Sequence, residues 1–362
     1  MNSDQMNIEE VLLRIEHGAS IHGVDFSRQT IEGIEFKEAR FVRCKFSNTR
    51  FVGCTFSNCT LVNCNLFGSR FEGSILRDTQ FMLGKAEFAK FHDCMFPSTF
   101  FMKVPAPGAD FTKSTFDGSG FMCCDLKDAI FKEVIFERIA LMENDLTAID
   151  LTNAHIYRAI ISKADLRLAK LEGTVFHQVL FGNANLAHRD LSRQVFKECS
   201  MADADLEKVV FEGADLTQTS FVNCNLRQAI FNEAKFPYGM MVGSDLSGAK
   251  FEKAELVNSV FANATLKAAS FVGSKLGMAN FDHADCQAVR FEGTDLRYAD
   301  FSNANCQAAN FANSKFDLTK FHGTKLNGSL MDGTTGSTIP SNEPRLVAQA
   351  YNPKSVVLDM EM

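Results

Sequence analysis

The sequence predicts an all-β solenoid, a chain that turns a corner every five residues and winds into a square coil. Three observations predict it. Among 362 residues there are 35 Phe but only 4 Tyr and no Trp. Of those Phe, 32 fall in one residue class of five between Ile21 and Met331, where chance would place about a fifth of them. A second class, two residues earlier, is dominated by Ala, Cys, Ser and Thr. Helices repeat every 3.6 residues and strands every two, so a period of five needs a corner at each repeat.

The large class holds 20 Leu, 4 Ile, 3 Met, 2 Cys and 2 Ala beside its Phe, and only Phe67, Phe88 and Phe100 lie outside it. Large residues point inward from each side. The small class, as in Cys54, Cys59, Ala164 and Ala304, fills the room left at a narrow, close-packed axis. Two positions after each large residue, Gly23, Gly53, Gly213 and Gly293 alternate with Asn63, Asn183 and Asn263, which suits corners of positive φ. Over the period of five lies one of twenty. Residues 126, 146, 166, 186, 206, 226, 246 and 266 are all Leu, whereas 211, 231, 251, 271, 291 and 311 are all Phe. The coil therefore has four sides, one lined by Leu and another by Phe.

Segments such as Ala164-Asp165-Leu166, Ala184-Asn185-Leu186 and Ala204-Asp205-Leu206 resemble the signature of the pentapeptide-repeat family, and the likeness covers residues 21 to 331. The resemblance implies a right-handed quadrilateral β-helix with four pentapeptides per coil. Sixty-three pentapeptides would make about sixteen coils, a rod of roughly 75 Å at the spacing of stacked strands.

Five segments are expected. Residues 1–20 form a capping helix: Asn7 and Glu10 make a capping box, Ile8, Val11, Leu12 and Ile15 an apolar face, and Gly18 a stop. Residues 21–80 are a first repeat block. Residues 81–110 are degenerate repeats or a projecting loop, because Ala86 and Ala106 replace large residues, Gly84 a small one, and Pro97, Pro105 and Pro107 crowd the stretch. Residues 111–331 are the main block, and 332–362 a tail or cap with apolar runs at Leu346-Val347-Ala348 and Val356-Val357-Leu358.

No catalytic, cofactor or metal site is expected. Ten of the 11 Cys fall in inward classes and read as packing residues, leaving Cys123 outward. Paired Cys-X-X-Cys segments, a His-Glu-X-X-His run and a phosphate-cradling loop are all missing from the sequence. Asn144, Arg189 and Gln194 sit in the small class, where an unpaired polar group costs about 1–3 kcal/mol, and they read as marks of local distortion. No apolar stretch reaches membrane-spanning length, and the first residues do not read as a secretory signal. The expected location is cytoplasmic, or outside the cell by a leaderless route.

Function must then be written on the surface. One outward column, read every twenty residues, is an acidic ladder: Asp125, Asp145, Asp165, Asp205, Asp245 and Asp285, with Asn185, Asn225 and Thr265 between them. A second column is apolar, with Phe100, Ala140, Ile160, Leu180, Met240 and Val260, interrupted by Gly120, Ser200 and Ser220, and its neighbour adds Ile135, Val175 and Val195. An apolar stripe on such a coil points to a protein partner or to a second copy of the chain. The expected function is a non-enzymatic protein-binding scaffold. The layout of a short leading helix, Gly18-Ala19-Ser20-Ile21 and a long solenoid is similar to pentapeptide-repeat proteins beside bacterial type VI secretion machinery, which implies an adaptor or effector role. The alternative is DNA mimicry, since some family members bind DNA gyrase in place of duplex DNA. The charge does not favour it: residues 111–331 carry 27 acids and 23 bases, and residues 21–110 carry 9 and 11. A net charge of -7 over the whole chain also excludes a basic nucleic-acid binder.

Overall fold

The computed structural model describes residues 7–350. The chain divides into two compact units, Met1–Phe221 and Val222–Met362.

The first unit opens with helix α1, Ile8–Glu16. Asn7 Oδ1 accepts the Glu10 N–H at 2.8 Å. At the other end Ala19 N–H donates to Arg14 O and Gly18 N–H to Ile15 O, with Gly18 at φ +69°, the paired bonds of a Schellman stop. Val11 is buried, and α1 packs on the strands Ile21–His22 and Glu35–Lys37.

From there the pairings of this unit are parallel and join a residue to the one twenty positions on: Phe41 with Leu61, Phe51 with Phe71, Phe36 with Phe56, Lys45 with Asn65. One coil is thus twenty residues and four sides. Taking the sides in chain order, the first carries an eight-stranded sheet that begins at Ile21–His22 and ends at Ile160–Ser162. The third carries a four-stranded sheet from Thr30–Glu32 to Lys90–His92, and the fourth a nine-stranded one from Glu35–Lys37 to Val195–Lys197. The second side is joined by single bridges such as Asp25 with Lys45.

The second unit is built almost wholly from turns and single bridges, for example Met240 with Val260 and Asp245 with Thr265. In each repeat the residue three past the large one donates back to its carbonyl, as Ala229 does to Leu226 at 3.1 Å, with positive φ at the position between, Gln228. That is a type II turn. The Phe rings stack coil on coil along two opposite sides, not one. Phe231, Phe251 and Phe271 lie 4.7 Å apart and nearly parallel on the third side, and Phe261 and Phe281 stack at 4.9 Å on the first. Rings from the two sides meet edge to face, as Phe251 and Phe261 do at 88°. The unit closes with the strand Thr338–Ile339 on Thr319–Lys320 and then helix α2, Glu343–Ala350. Leu346 of α2 reaches the backbone of Gly323, so this part of the carboxyl-terminal stretch covers the last coils. The Val356-Val357-Leu358 run lies outside the described residues.

Every large-class residue from Ile21 to Phe321 is buried, and the three Phe outside the class are exposed. The projecting loop expected as one alternative at 81–110 is not found. Phe81 pairs with Phe101 and Lys90 with Asp110, in the common register. Ala86 and Ala106 are buried, and a Cβ on Gly84 would stand 2.5 Å from Cys64 O. The prolines keep the accepting half of the ladder: Pro97 O accepts from Asp78 N–H, Pro105 O from Ala86 N–H and Pro107 O from Phe88 N–H.

The small class does more than fill space. Its hydroxyls and thiols donate to the carbonyl of a large residue in the coil beneath: Thr49 to Phe26 O at 2.7 Å, Cys59 to Phe36 O at 3.1 Å, Thr294 to Phe271 O at 2.9 Å. Asn144 and Gln194, expected to mark distortion, join this ladder instead. Asn144 donates to Phe121 O at 2.9 Å and accepts from Cys124 N–H at 2.8 Å. The Gln194 amide nitrogen, oriented to its donors' acceptors, lies 3.2 Å from both Leu171 O and Thr174 O. Arg189 donates to Arg167 O while its Nε is buried without a partner.

The corners also depart from expectation. Positive φ is not confined to Gly and Asn; Arg28, Glu38, Phe88 and Tyr238 adopt it too, at 55–63°. Gly is further favoured where a side chain of the coil below stands in its Cβ position and would have to move. Asn153 Oδ1 would lie 2.3 Å from a Cβ on Gly173, and Asn223 Oδ1 2.6 Å from one on Gly243.

Candidate interaction surfaces

Because the large residue of each side points inward, the residues just before and just after it point outward. The acidic ladder lies in the preceding column of the second side. Each carboxylate is occupied by its own turn, accepting the N–H two residues on. In the first unit Asp125 accepts from Lys127, Asp145 from Thr147, Asp165 from Arg167 and Asp205 from Glu207, at 2.9–3.3 Å. In the second, Asp245 accepts from Ser247 at 3.0 Å and Asp285 from Gln287 at 3.4 Å. These are Asx turns, the geometry for which Asp and Asn are suited. Cations also stand against the ladder: Arg167 Nη2 is 2.7 Å from Asp165, Arg227 Nη1 3.4 Å from Asp245 and Lys267 Nζ 3.3 Å from Asp285. The Arg167 hydrogen bond holds the Asp165 carboxyl below its usual range. At Asp245 burial works to raise the pKa, but the Ser247 hydroxyl and N–H and the Arg227 charge outweigh it and leave the group lowered.

The apolar columns separate by side and by unit. On the first side of the first unit, Phe100 is followed by Gly120, Ala140, Ile160 and Leu180. Gly120 does not interrupt this column as expected: it is buried with the Phe100 ring over it, 3.4 Å from where its Cβ would be. On the fourth side Ile135 is exposed and Val175 half-buried, with His155 between them, and Val195 follows, also half-buried. In the second unit Met240 is exposed and pairs with the half-buried Val260, after which Asn280 makes the column polar.

Three outward features escaped the sequence reading. Beside the Phe100 column runs a following-residue column of Val42, Val62, Met82, Met102, Met122 and Met142. Phe67 and Phe88 meet edge to face at 6.0 Å on a corner, the Phe88 ring lying over Gly108. In the second unit the corner before the first side carries Tyr238, Met278, Tyr298 and Leu318, all exposed and all at positive φ. Reading the following-residue and corner classes every twenty residues would have found all three.

Concave chemistry is sparse. A cleft of about 530 Å³ in the second unit is lined by Asp282, His283, Asp300, Lys320, His322 and Arg345 among others. Its charges are engaged with one another, His283 Nδ1 at 2.9 Å from Asp282 and Lys320 Nζ at 3.2 Å from Asp300. Among the described residues no three His, Cys, Asp or Glu side chains are placed to hold a metal ion, and no helix is long and apolar enough to cross a membrane. Ten cysteines are buried, and the exposed Cys123 has its Sγ 3.5 Å from Glu143 Oε2.

Comparison with known proteins agrees with this geometry. The family model described as a pentapeptide repeat region matches residues 34–111 and 244–321, and the model described as pentapeptide repeats (8 copies) matches 174–213 and 210–248. No curated protein sequence matches the chain. Among solved structures, a pentapeptide repeat protein from the Arabidopsis thaliana thylakoid lumen is 33% identical over 29% of this chain and 74% of its own, with a TM-score of 0.27. QnrB1, a plasmid-mediated fluoroquinolone resistance protein, is 18% identical over 61% of this chain and 94% of its own, with a TM-score of 0.32. HetL, a pentapeptide repeat protein involved in heterocyst differentiation regulation in the cyanobacterium Nostoc, is 18% identical over 91% of this chain and 94% of its own, with a TM-score of 0.16.

Proposed function

The chain belongs to the pentapeptide-repeat family, and from that premise we propose that it is a non-enzymatic scaffold whose outward columns bind a protein partner. The observation that carries the reading is the first side of the first unit. There Phe100, Met122, Met142, Ile160 and Leu180 are all 38–49% exposed on one side of the coil, so a contiguous apolar area faces water. A buried core of stacked rings supplies the rigidity that lets such a face keep its shape. The finer role, adaptor or effector of type VI secretion, rests only on the layout of α1, the Gly18–Ser20 link and the solenoid. A second copy of the chain docking through an end or an apolar side is the homodimer form of the same proposal.

Mimicry of DNA toward gyrase asks for a one-sided row of free carboxylates that a phosphate-binding groove would accept. Here one oxygen of each ladder carboxylate serves an Asx turn, and Arg167, Arg227 and Lys267 offset the charge of Asp165, Asp245 and Asp285, which supports the scaffold over the mimic. The test is photo-crosslinking in the source organism from benzoylphenylalanine placed at Met122, Tyr298 and Asp145, beside a gyrase supercoiling assay with and without a quinolone. The scaffold reading expects a discrete cross-linked protein and no effect on supercoiling. Gyrase inhibition or protection at low micromolar protein, or no cross-link from any of the three positions, would overturn it.

A further inference from the structure

On the first side of the first unit the two outward columns hand an apolar strip from one to the other. The following-residue column supplies Val42, Val62, Met82, Met102, Met122 and Met142, stacked in register coil by coil. The preceding-residue column takes over with Phe100, Ala140, Ile160 and Leu180. Leu83 adds an exposed side chain at the adjoining corner. Eight coils contribute, so the strip is about 34 Å long at the spacing of stacked strands. It is two columns wide, about 10 Å, from Phe100 and Met102 to Ala140 and Met142, and one column wide elsewhere, where Arg40, Thr60, Gln80 and Ser162 take the other place.

We infer that this strip seats one amphipathic α-helix of a partner protein, lying along the coil stack with its apolar face down. The inference rests on the scaffold reading and names the partner's chemistry. Area selects the occupant. The strip offers less than about 340 Å² per copy, well short of the roughly 800 Å² per partner that a stable flat dimer buries. A helix is about 10 Å across, and some 23 residues of it span the strip. An added strand is not a competitor on this face, because its backbone groups already bond from coil to coil, as Lys103 N–H does to Met122 O and Cys123 N–H to Met142 O.

Methionine explains how the fit is kept. A helix rises about 5.4 Å per turn and the coils about 4.8 Å, so the two drift apart by about 0.6 Å per turn, close to 4 Å over the strip. The unbranched thioethers of Met82, Met102, Met122 and Met142 absorb that drift along the middle of the strip by changing rotamer, a freedom that the β-branched Val42, Val62 and Ile160 toward its ends lack.

The test uses the full chain and a fluorescein-labelled 21-residue Leu/Lys peptide with its leucines on one helical face. A peptide of the same composition with leucines spread around the helix is the control. Anisotropy titration is expected to show saturable one-to-one binding of the amphipathic peptide, at least tenfold tighter than the control. The double variant M102E/M142E, with an unchanged melting curve, should weaken it at least tenfold. If that variant unfolds, M102Q/M142Q takes its place. Equal binding of both peptides, or binding indifferent to the substitutions, would overturn the inference. So would a dimer mass by light scattering that M102E/M142E halves, or sedimentation with phosphatidylcholine vesicles that it abolishes. Cross-links from Tyr298 or Asp145 with none from Met122 would sink this inference and leave the scaffold reading standing, whereas silence at all three positions would sink both.

Discussion

Gly239 and Phe236 make a pair whose coupling can be measured. Along the fourth side of the second unit the large residues are Phe236, Leu256, Leu276, Leu296 and Phe316, so the Phe236 ring is followed by three leucines. A Cβ on Gly239 would lie 2.0, 2.2 and 2.3 Å from three atoms of the Phe236 ring. Gly239 has ordinary backbone angles for any residue, so the obstacle is space alone. Both residues are buried, and neither can turn into solvent. Gly239→Ala therefore overpacks the core, for which about 1–3 kcal/mol is typical. Phe236→Leu alone removes contacts and leaves a small void, at about 1 kcal/mol. In the double variant the alanine methyl enters the volume the ring vacates. The loss should fall short of the sum of the singles by at least about 1 kcal/mol, within the range seen for contacting residues. Thermal melting by circular dichroism is the assay, with about 2–4 °C expected per kcal/mol for a body of this size. If Gly239→Ala melts with the wild type, or if the two losses simply add, the packing described for this column is wrong.

Further predictions follow from the buried polar ladder, the Asx carboxylates and the thiols. Asn144→Ala strands Phe121 O and Cys124 N–H and should cost about 1–3 kcal/mol in denaturant melts, whereas Asn144→Ser should come close to wild type. The reason is that Ser114 already makes the same two bonds, to Phe91 O and from Cys94 N–H. At Asp150 burial works to raise the pKa, but Thr152 and Lys132 outweigh it; Asp215 and Asp300 are likewise lowered, against burial, by Thr217 with Lys197 and by Ser302 with Lys320. A carboxyl lowered in the fold stabilises above its unfolded value and loses that contribution as pH falls through the folded one, so melting temperature should hold at pH 5 and drop below about 3.8. Asp150→Asn should shallow that drop, since its Oδ1 still serves Thr152 while the Lys132 and Lys170 contacts at 3.4 Å are lost. With dithionitrobenzoate the native chain should release about one fast thiol, from Cys123; burial raises Cys59 to about 11 and Cys94 to about 12, and Cys123→Ser should abolish the fast phase.

What the sequence disclosed was the inside of the coil. A residue that must point at a shared axis is chosen by that axis, so the Phe and Leu positions, their fourfold column and the buried state of ten cysteines could all be read by counting. Contacts between coils were hidden, because they join residues twenty or twenty-three positions apart whose pairing depends on side-chain reach. Asn144 looks like an error in a small-residue class until Phe121 O and Cys124 N–H are found beside it. The 81–110 stretch looked like a break because Ala86, Ala106 and three prolines violate the local pattern. Yet a proline still offers its carbonyl, and Ala86, Phe88 and Asp78 find those acceptors in register. The acidic ladder was visible as spacing, but its engagement with the turn and with Arg167 was not.

Corner identity shows how the two kinds of constraint combine. The coil imposes positive φ on Arg28, Glu38 and Tyr238 as firmly as on Gly23. Backbone preference alone therefore does not decide which corner is glycine. At some corners the side chain one coil below adds a second reason: Asn48 under Gly68, Asn153 under Gly173, Asn303 under Gly323 and Asn313 under Gly333, each with its Oδ1 2.3–2.7 Å from the missing Cβ, whereas Gly23, Gly53 and Gly293 have open space there and only the positive φ favours glycine. Where no such oxygen intrudes, the corner is free to carry anything, at the cost of a left-handed conformation that side chains other than Gly and Asn disfavour. Tyr238, Met278, Tyr298 and Leu318 bear that cost on one edge of the second unit while leaving about half or more of their surface in water, so on this edge neither core packing nor backbone preference selects the residue.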